Sequence, residues 1–586
     1  LALAFALVIY WPSFKGQFHL DDLEGIVSNR YIRIIDLKPG SLFRTAFQDR
    51  LQNRPLTNLS FALNYYLNQM NPLGFHIFNF CILVLTAAGI FLLFRKLLIH
   101  LDFDRDRSAT AALAIAFVWL CHPLNTQAIS YIVQRHTSMA GAFSIWSLYF
   151  FHLGMEKKRQ GLTFFGVSVL SCLCALLSKE SSFTLPALIF AYKIYFFDDL
   201  EPGWLKRNRR WLFVLAAFYF LAAAIILRPE MWKSMFNFRD ISFTAGQKLG
   251  SGPRALVWYF FIILFPFPQF LSLIHDFPAS INILNPPATV ISILLVFAII
   301  FLAIWRARRW RIFSFAALWY LGVLLVESMP LPIDIVNEHR LYLASLSIIG
   351  PAVAWPILKL RRMKPVLIGS MIVALFFGFF SWRRNLVWRR EPSLWKDVLH
   401  KSPMVSLPWS NYCAALIGIG DLRKAAQTCK FAIHLDPKDK DSYNNLGVCY
   451  FQTGDSSQAE RNFLKVIELD PKYAVAFFHL GLIKIIENDV AGAKNYFDRA
   501  EQAGAKDARM YFNLGLVYEK LGEPVSALRE FSIASSMRPE WVEARLKVAE
   551  AFAGQGRCED AAGLIQASPV SDPRFEELIK RCAPAR

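Results

Sequence analysis

Nine cysteines in 586 residues make no Cys-x-x-Cys pair and no metal-ligand spacing, which excludes a zinc ribbon or a thioredoxin-type redox motif. Cys172 and Cys174 fall in an apolar run and the rest are scattered, so all nine read as free thiols, mostly packed. A Walker phosphate loop, a Rossmann glycine fingerprint, an HExxH pair and a Ser-His-Asp constellation are absent too. ATP-driven transport and hydrolysis lose ground with them, and any group transfer must draw on an activated donor. Charge is sparse, at 19% of residues, and its balance is basic, at +19. The Lys and Arg sit in short clusters between apolar runs, which is how a membrane protein fixes its orientation, so nucleic acid is not the expected partner.

What is abundant is apolar surface: 55% of residues are hydrophobic and 52 are Phe, too many for an ordinary soluble protein. A hydrocarbon core needs about 20 apolar residues per helix. Candidate spans are 1–14, 75–98, 109–120, 137–153, 162–177, 183–197 and 211–227, then 287–305, 312–327, 341–358 and 365–382. The sequence starts at Leu1 without Met, so 1–14 reads as the end of a first span whose basic start is missing, in preference to a cleaved signal peptide. The basic clusters near 95–107, 157–159, 206–210, 306–311 and 359–364 orient the loops that carry them toward the cytoplasm. Segment 255–267 breaks the alternation and is expected to be a re-entrant dip, with Pro266, Pro268 and Pro278 breaking the helix. The fold class is therefore all-α: a polytopic membrane domain over 1–382, of about eleven spans plus that dip, then a soluble helical part on the outer side.

With this orientation, the unusual ionisable motifs gather on the outer face. They are Asp21-Asp22, His122-Pro123, Arg135-His136, Lys179-Glu180, His275-Asp276 and Glu338-His339-Arg340. Charges of both signs meeting at a membrane boundary are a functional-site signal; the plainer reading is snorkelling and loop ion pairs.

Several of these stretches also carry a family resemblance. Phe18-His19-Leu20-Asp21-Asp22, Asn53-Arg54-Pro55-Leu56-Thr57, Leu63-Asn64-Tyr65 and Asn71-Pro72-Leu73-Gly74-Phe75-His76 resemble the first outer loop of the transmembrane and tetratricopeptide-repeat (TMTC) proteins. His122-Pro123-Leu124-Asn125-Thr126-Gln127-Ala128, Leu177-Ser178-Lys179-Glu180 and Glu338-His339-Arg340-Leu341-Tyr342-Leu343 follow in that family's order. Gln127 stands where the animal proteins usually carry Glu, and His339 is inserted between Glu and Arg. The resemblance implies a GT-C-like fold and O-mannosyl-type transfer from a polyprenyl-phosphate sugar.

Such a transfer needs a carboxylate to take the acceptor hydroxyl's proton, cations to hold the leaving lipid phosphate, and a groove for the lipid tail. Asp21 and Asp22 are the base candidates. Neighbours on an extended loop point different ways, so one faces the sugar while the other orients the loop or helps hold a divalent cation, Mg or Mn. The resemblance favours Asp21 as base; the alternative is an N-cap for a helix near Leu23. For the phosphate the candidates are Arg340, Lys179 and Arg135, with Glu180 and Glu338 orienting them or forming structural ion pairs with Lys179 and Arg340. His122 is a site residue or a helix-end cap, and His339 a supporting residue.

After a connector at 383–403, a 34-residue period runs over 404–570, ahead of a tail at 571–586 expected to add a short helix. Leu446-Gly447, Leu480-Gly481 and Leu514-Gly515 share one phase, Phe463, Phe497 and Phe531 another, and Ala425, Ala459, Ala493, Ala527 and Ala561 a third. This is the tetratricopeptide pattern, about five units, degenerate at Tyr412-Cys413 and Val548-Ala549 as solenoid caps are. Its groove would take a protein or peptide acceptor, or the array is a spacer. The leading expectation is a membrane glycosyltransferase, bacterial, with site and repeats in the periplasm. The rivals are a non-enzymatic scaffold for an envelope or secretion complex, a transporter, and a transferase acting on glycan or lipid.

Overall fold

The computed structural model describes residues 2–48, 54–157, 159–201, 203–226, 238, 243–359 and 363–582. Asn53, Lys158 and residues 360–362 of the motifs and basic clusters lie outside them. Every regular element among the described residues is helical. The chain divides after Ser402 into two compact units.

In the first unit the helices start where the local chemistry supplies a cap. Asn71 accepts the Leu73 N–H ahead of Pro72–His100, and Asp104 accepts those of Asp106 and Arg107 ahead of Arg105–Leu120. Both ends satisfy donors that a helix otherwise leaves orphaned. Four helices among the described residues are long and apolar enough to cross a membrane: Pro72–His100, Ala288–Trp305, Arg311–Ser328 and Lys364–Val387. Glu338–Ala344 with Leu346–Lys359, bent by 42°, makes a fifth if the pair is one span. The remaining expected spans are shorter or more polar. Gly161–Leu176 has 16 residues, and the 22-residue Arg135–Glu156 buries Ser138, Ser144, Ser147 and His152 among its apolar side chains. Segment 255–267, expected to dip, is mostly the end of an unbroken helix, Ala245–Leu264. Its prolines 266, 268 and 278 follow the helix end and cannot break it.

The core of this unit closes on Trp119 and Tyr342, both fully buried. Their rings lie 5.0 Å apart, and the Trp119 indole N–H donates to the Tyr342 carbonyl at 3.1 Å. Past Val387 the chain forms Glu391–Lys401, which buries Leu394, Trp395, Val398 and Leu399. Trp388 and Trp395 of the connector are buried.

The second unit is a stack of helical hairpins. First helices begin at Ser406, Lys440, Ala474, Ala508 and Val542, and second helices at Leu422, Ser456, Val490, Pro524 and Cys558, before a last helix Pro573–Cys582. The sequence phases meet in space: a Cβ added to Gly447, Gly481 or Gly515 would sit 2.7, 2.6 or 2.5 Å from Phe463, Phe497 or Phe531. Glycine lets each first helix close onto the ring of its second. In the first hairpin the same offset of 16 residues is filled by a Cys413–Cys429 disulfide. Cys558, in the last hairpin, is disulfide-bonded as well. The reading of nine free thiols is thus corrected: Cys81, Cys121, Cys172, Cys174 and Cys449 are free. Buried positions facing across a hairpin bring two thiols together where sequence neighbours do not.

Candidate functional site

Several of the ionisable motifs sit at short helical turns: Leu23–Val27 is a single π-helical turn, and Ile132–Gln134, Glu180–Thr184 and Glu338–Arg340 are short 3-10 segments, whereas Arg135-His136 opens the helix Arg135–Glu156.

Asp21 and Asp22 have separate tasks. Asp22 is fully buried and its two oxygens are taken: Oδ2 accepts the His19 N–H at 2.9 Å and Oδ1 the Val133 N–H at 2.6 Å. It ties the first loop to the 132–134 turn and makes no side-chain cap to the helix at Leu23, contrary to the N-cap alternative. Burial pushes its carboxyl up to about 7, against those two N–H groups. Asp21 opens into a cavity, and its N–H donates to the Tyr131 hydroxyl at 2.9 Å. Burial raises its carboxyl above the usual range, while the Tyr131 hydroxyl opposes the rise.

The cations do not pair with their sequence neighbours. Lys179 Nζ lies 2.6 Å from Glu327 Oε1, and Arg340 Nε 3.1 Å from Glu327 Oε2, so one carboxylate bridges two cations. Glu180 pairs with Arg54 instead of orienting Lys179: both its oxygens lie 3.2 Å from Arg54 Nε. Glu338 pairs with Arg384 at 2.5 Å and with His275 Nε2 at 3.1 Å, and accepts the Ser272 N–H, so it does not orient Arg340. Arg340 spends its other donors on the carbonyls of Ile335 and Asp334, at 3.0 and 2.8 Å. In a tight turn adjacent side chains diverge, so each member of a charged dipeptide finds a partner elsewhere.

Of the sequence candidates, Asp21, Lys179, His339 and Arg340 line a cavity of 680 Å³. Asp21, Glu24 and Asp334 contribute carboxylates; Arg54, Lys179 and Arg340 contribute cations, with His136, His339 and Glu327 beside them. Two smaller clefts continue it inward. One, of 40 Å³, shares Lys179, Glu327 and Arg340 and reaches Leu188, Trp319 and Leu343. The next, of 70 Å³, starts at Trp319 and is walled by Leu93, Phe94, Ile145 and Phe315. The two departures from the family pattern touch each other: Gln127 Oε1 accepts the His339 N–H at 2.8 Å.

Arg135 and His122, like Asp22, Glu180 and Glu338, do not line the cavity. Arg135 is fully buried, donating to Asn79 Oδ1 at 2.6 Å and to the carbonyls of Ser60 and Phe75 at 3.1 Å, with the Phe61 and Phe78 rings 4.5 Å away. It braces the wall and offers no free face to a phosphate. His122 is buried too, its Nε2 at 3.0 Å from the Ile263 carbonyl and its Nδ1 accepting the Leu124 N–H at 3.3 Å. This is the helix-end cap of the two readings. Burial holds its imidazole down at about 4, hence neutral.

Sequence reasoning passed over Glu327, Arg54, Tyr131 and Asp334. The signal for Glu327 was an acidic residue near the end of an apolar helix, and that for Arg54 its place in the Asn-Arg-Pro stretch. No three His, Cys, Asp or Glu among the described residues converge on a metal position, and both Asp22 oxygens are engaged by backbone N–H groups.

Tetratricopeptide-repeat family models match residues 441–473 and 487–534. Among curated proteins the chain is similar to Protein O-mannosyl-transferase TMTC3 of Mus musculus, 27% identical over 217 residues, 33% of this chain and 21% of that protein. It is similar also to Protein O-mannosyl-transferase TMTC2 of Homo sapiens, 29% identical over 233 residues, 36% of this chain and 26% of that protein. The matches thus span about a quarter of the length of these relatives. Among solved structures, MamA aligns at 23% identity over 28% of this chain and 93% of its own, with a TM-score of 0.24.

Proposed function

We propose that the chain is an integral-membrane glycosyltransferase that moves a sugar, mannose in the first instance, from a polyprenyl-phosphate donor to a Ser or Thr hydroxyl of a protein acceptor. The observation that carries it is the cavity itself, which the open carboxylate Asp21 lines together with the cations Lys179 and Arg340. The similarity to O-mannosyl-transferases supports the sugar and the acceptor class.

The carboxylate and the cations each have a task in such a transfer. The Asp21 carboxylate takes the proton of the acceptor hydroxyl as its oxygen bonds to the anomeric carbon. The bond from that carbon to the phosphate oxygen breaks, its electron pair leaves with the polyprenyl phosphate, and Lys179 and Arg340 stabilise the departing charge. Asp22 and the Tyr131 hydroxyl hold the loop that presents Asp21. The isoprenoid tail has a route from the cations through the cleft at Leu188 and Trp319 into the apolar cleft beyond. The repeats recruit the acceptor, and their disulfides fit an oxidising compartment, a periplasm or an endoplasmic reticulum lumen.

The test compares membranes holding the native chain with membranes holding Asp21→Asn at matched expression, supplied with polyprenyl-phosphate [14C]mannose. Labelled protein with the native chain, and a loss of at least about 100-fold in the variant, is the expected result. Equal label in both overturns the role of Asp21. No label from this or related donors moves the reading to a membrane-anchored scaffold.

A further inference from the structure

One acidic side chain stands among the cations, where a phosphate would be repelled by it. Glu327, near the end of Arg311–Ser328, is nearly buried and, with Arg340, lines the main cavity, the 40 Å³ cleft and a further small cleft beside Lys248 and Tyr259. It bridges Lys179 at 2.6 Å and Arg340 at 3.1 Å. The neighbouring cations are otherwise engaged. Arg54 is matched by Glu180, and Lys248 turns its Nζ to the carbonyls of Ile333 and Asp334 and does not line the main cavity. Within this triad two cations and one carboxylate leave a single surplus positive charge, and the Asp334 carboxylate lines the cavity beside it.

A lipid-phosphate sugar is a phosphodiester with one negative charge, whereas a diphosphate-linked sugar carries two. We infer that Glu327 is a specificity-determining residue: by cancelling one of the two cations it matches the site to a phosphodiester donor and disfavours a diphosphate-linked one. The inference rests on the lipid-donor reading above. It extends that reading to the choice between two donor classes, since specificity is a difference of affinities and a built-in repulsive charge is one way to make it.

Binding separates the two questions, because it needs no transfer. The purified full chain is titrated at pH 7 with two short-chain probes, a polyprenyl methyl phosphodiester and a polyprenyl methyl diphosphate diester. The native chain should prefer the diester. Glu327→Gln should shift the affinity ratio roughly tenfold or more toward the diphosphate, Glu327→Asp should keep the native ratio, and Lys179→Gln should move it the opposite way. A uniform weakening of both probes in Glu327→Gln, or a Lys179→Gln shift absent or in the same direction, overturns the inference and leaves the lipid-donor reading standing. If the native chain binds neither probe, the lipid-donor reading falls and the inference with it.

Discussion

The two units solve the packing problem in opposite ways. In the repeats each contact has a fixed sequence offset, so a glycine and the Phe 16 residues later meet at 447/463, 481/497 and 515/531. In the first unit the decisive contacts join residues far apart in the chain: Asp22 with Val133, Lys179 with Glu327, Glu338 with Arg384. A periodic array repeats one local solution, so its contacts can be read from one hairpin and copied. A cavity gathered from loops has no such rule, and its partners are chosen by the whole fold.

The sharpest way to break the contrast is Arg384→Met. It strands the buried Glu338 carboxylate, for an expected loss of about 3–5 kcal/mol, and the double change with Glu338→Gln should recover much of it. Thermal unfolding of the purified chain checks this; additive losses would show that the pair is not coupled. In the repeats the matching change is Cys413→Ser, which removes a staple worth about 3 kcal/mol for a loop of this size. Because the site is periodic, Cys413→Gly with Cys429→Phe, the pairing of the inner hairpins, should restore hydrogen-exchange protection of Ser406–Gly418 and Leu422–Leu435. Failure of that transplant would mean that the first hairpin is not interchangeable with the others.

The smallest effect concerns pH. Asp22, held up at about 7 in the fold against an ordinary value of 3.8, keeps its proton longer folded than unfolded. Its contribution to stability is therefore full below about pH 4 and is lost as pH rises through 7. Exchange of the Val133 amide should be slower at pH 5 than at pH 7.5, after correction for intrinsic rates, and Asp22→Asn should flatten that difference.

The repeats were legible to the residue, because Leu-Gly, Ala and Phe at a 34-residue spacing state their own contacts. The disulfide was legible in principle: Cys413 and Cys429 stand in the Gly and Phe phases, and only their scatter across the whole chain hid them. At the site, residue types and loops were readable and pairings were not. Lys179-Glu180 and Glu338-His339-Arg340 look like self-contained ion pairs, yet each charge goes to a different element. Arg135 looked like a phosphate ligand because nothing in its sequence context shows the Phe rings and Asn79 that enclose it. The count of spans suffered from the same blindness, since a bundle can bury Ser and His on an inner helix face.

The staple in the first hairpin has a bearing on how the protein is made. Cys413 and Cys429 are reduced when they leave the ribosome, and the hairpin that begins the array is complete only after a thiol oxidase has acted on it. Maturation of the repeats thus waits on oxidation, and a host producing this chain should be chosen for its capacity to form disulfides rather than for yield alone.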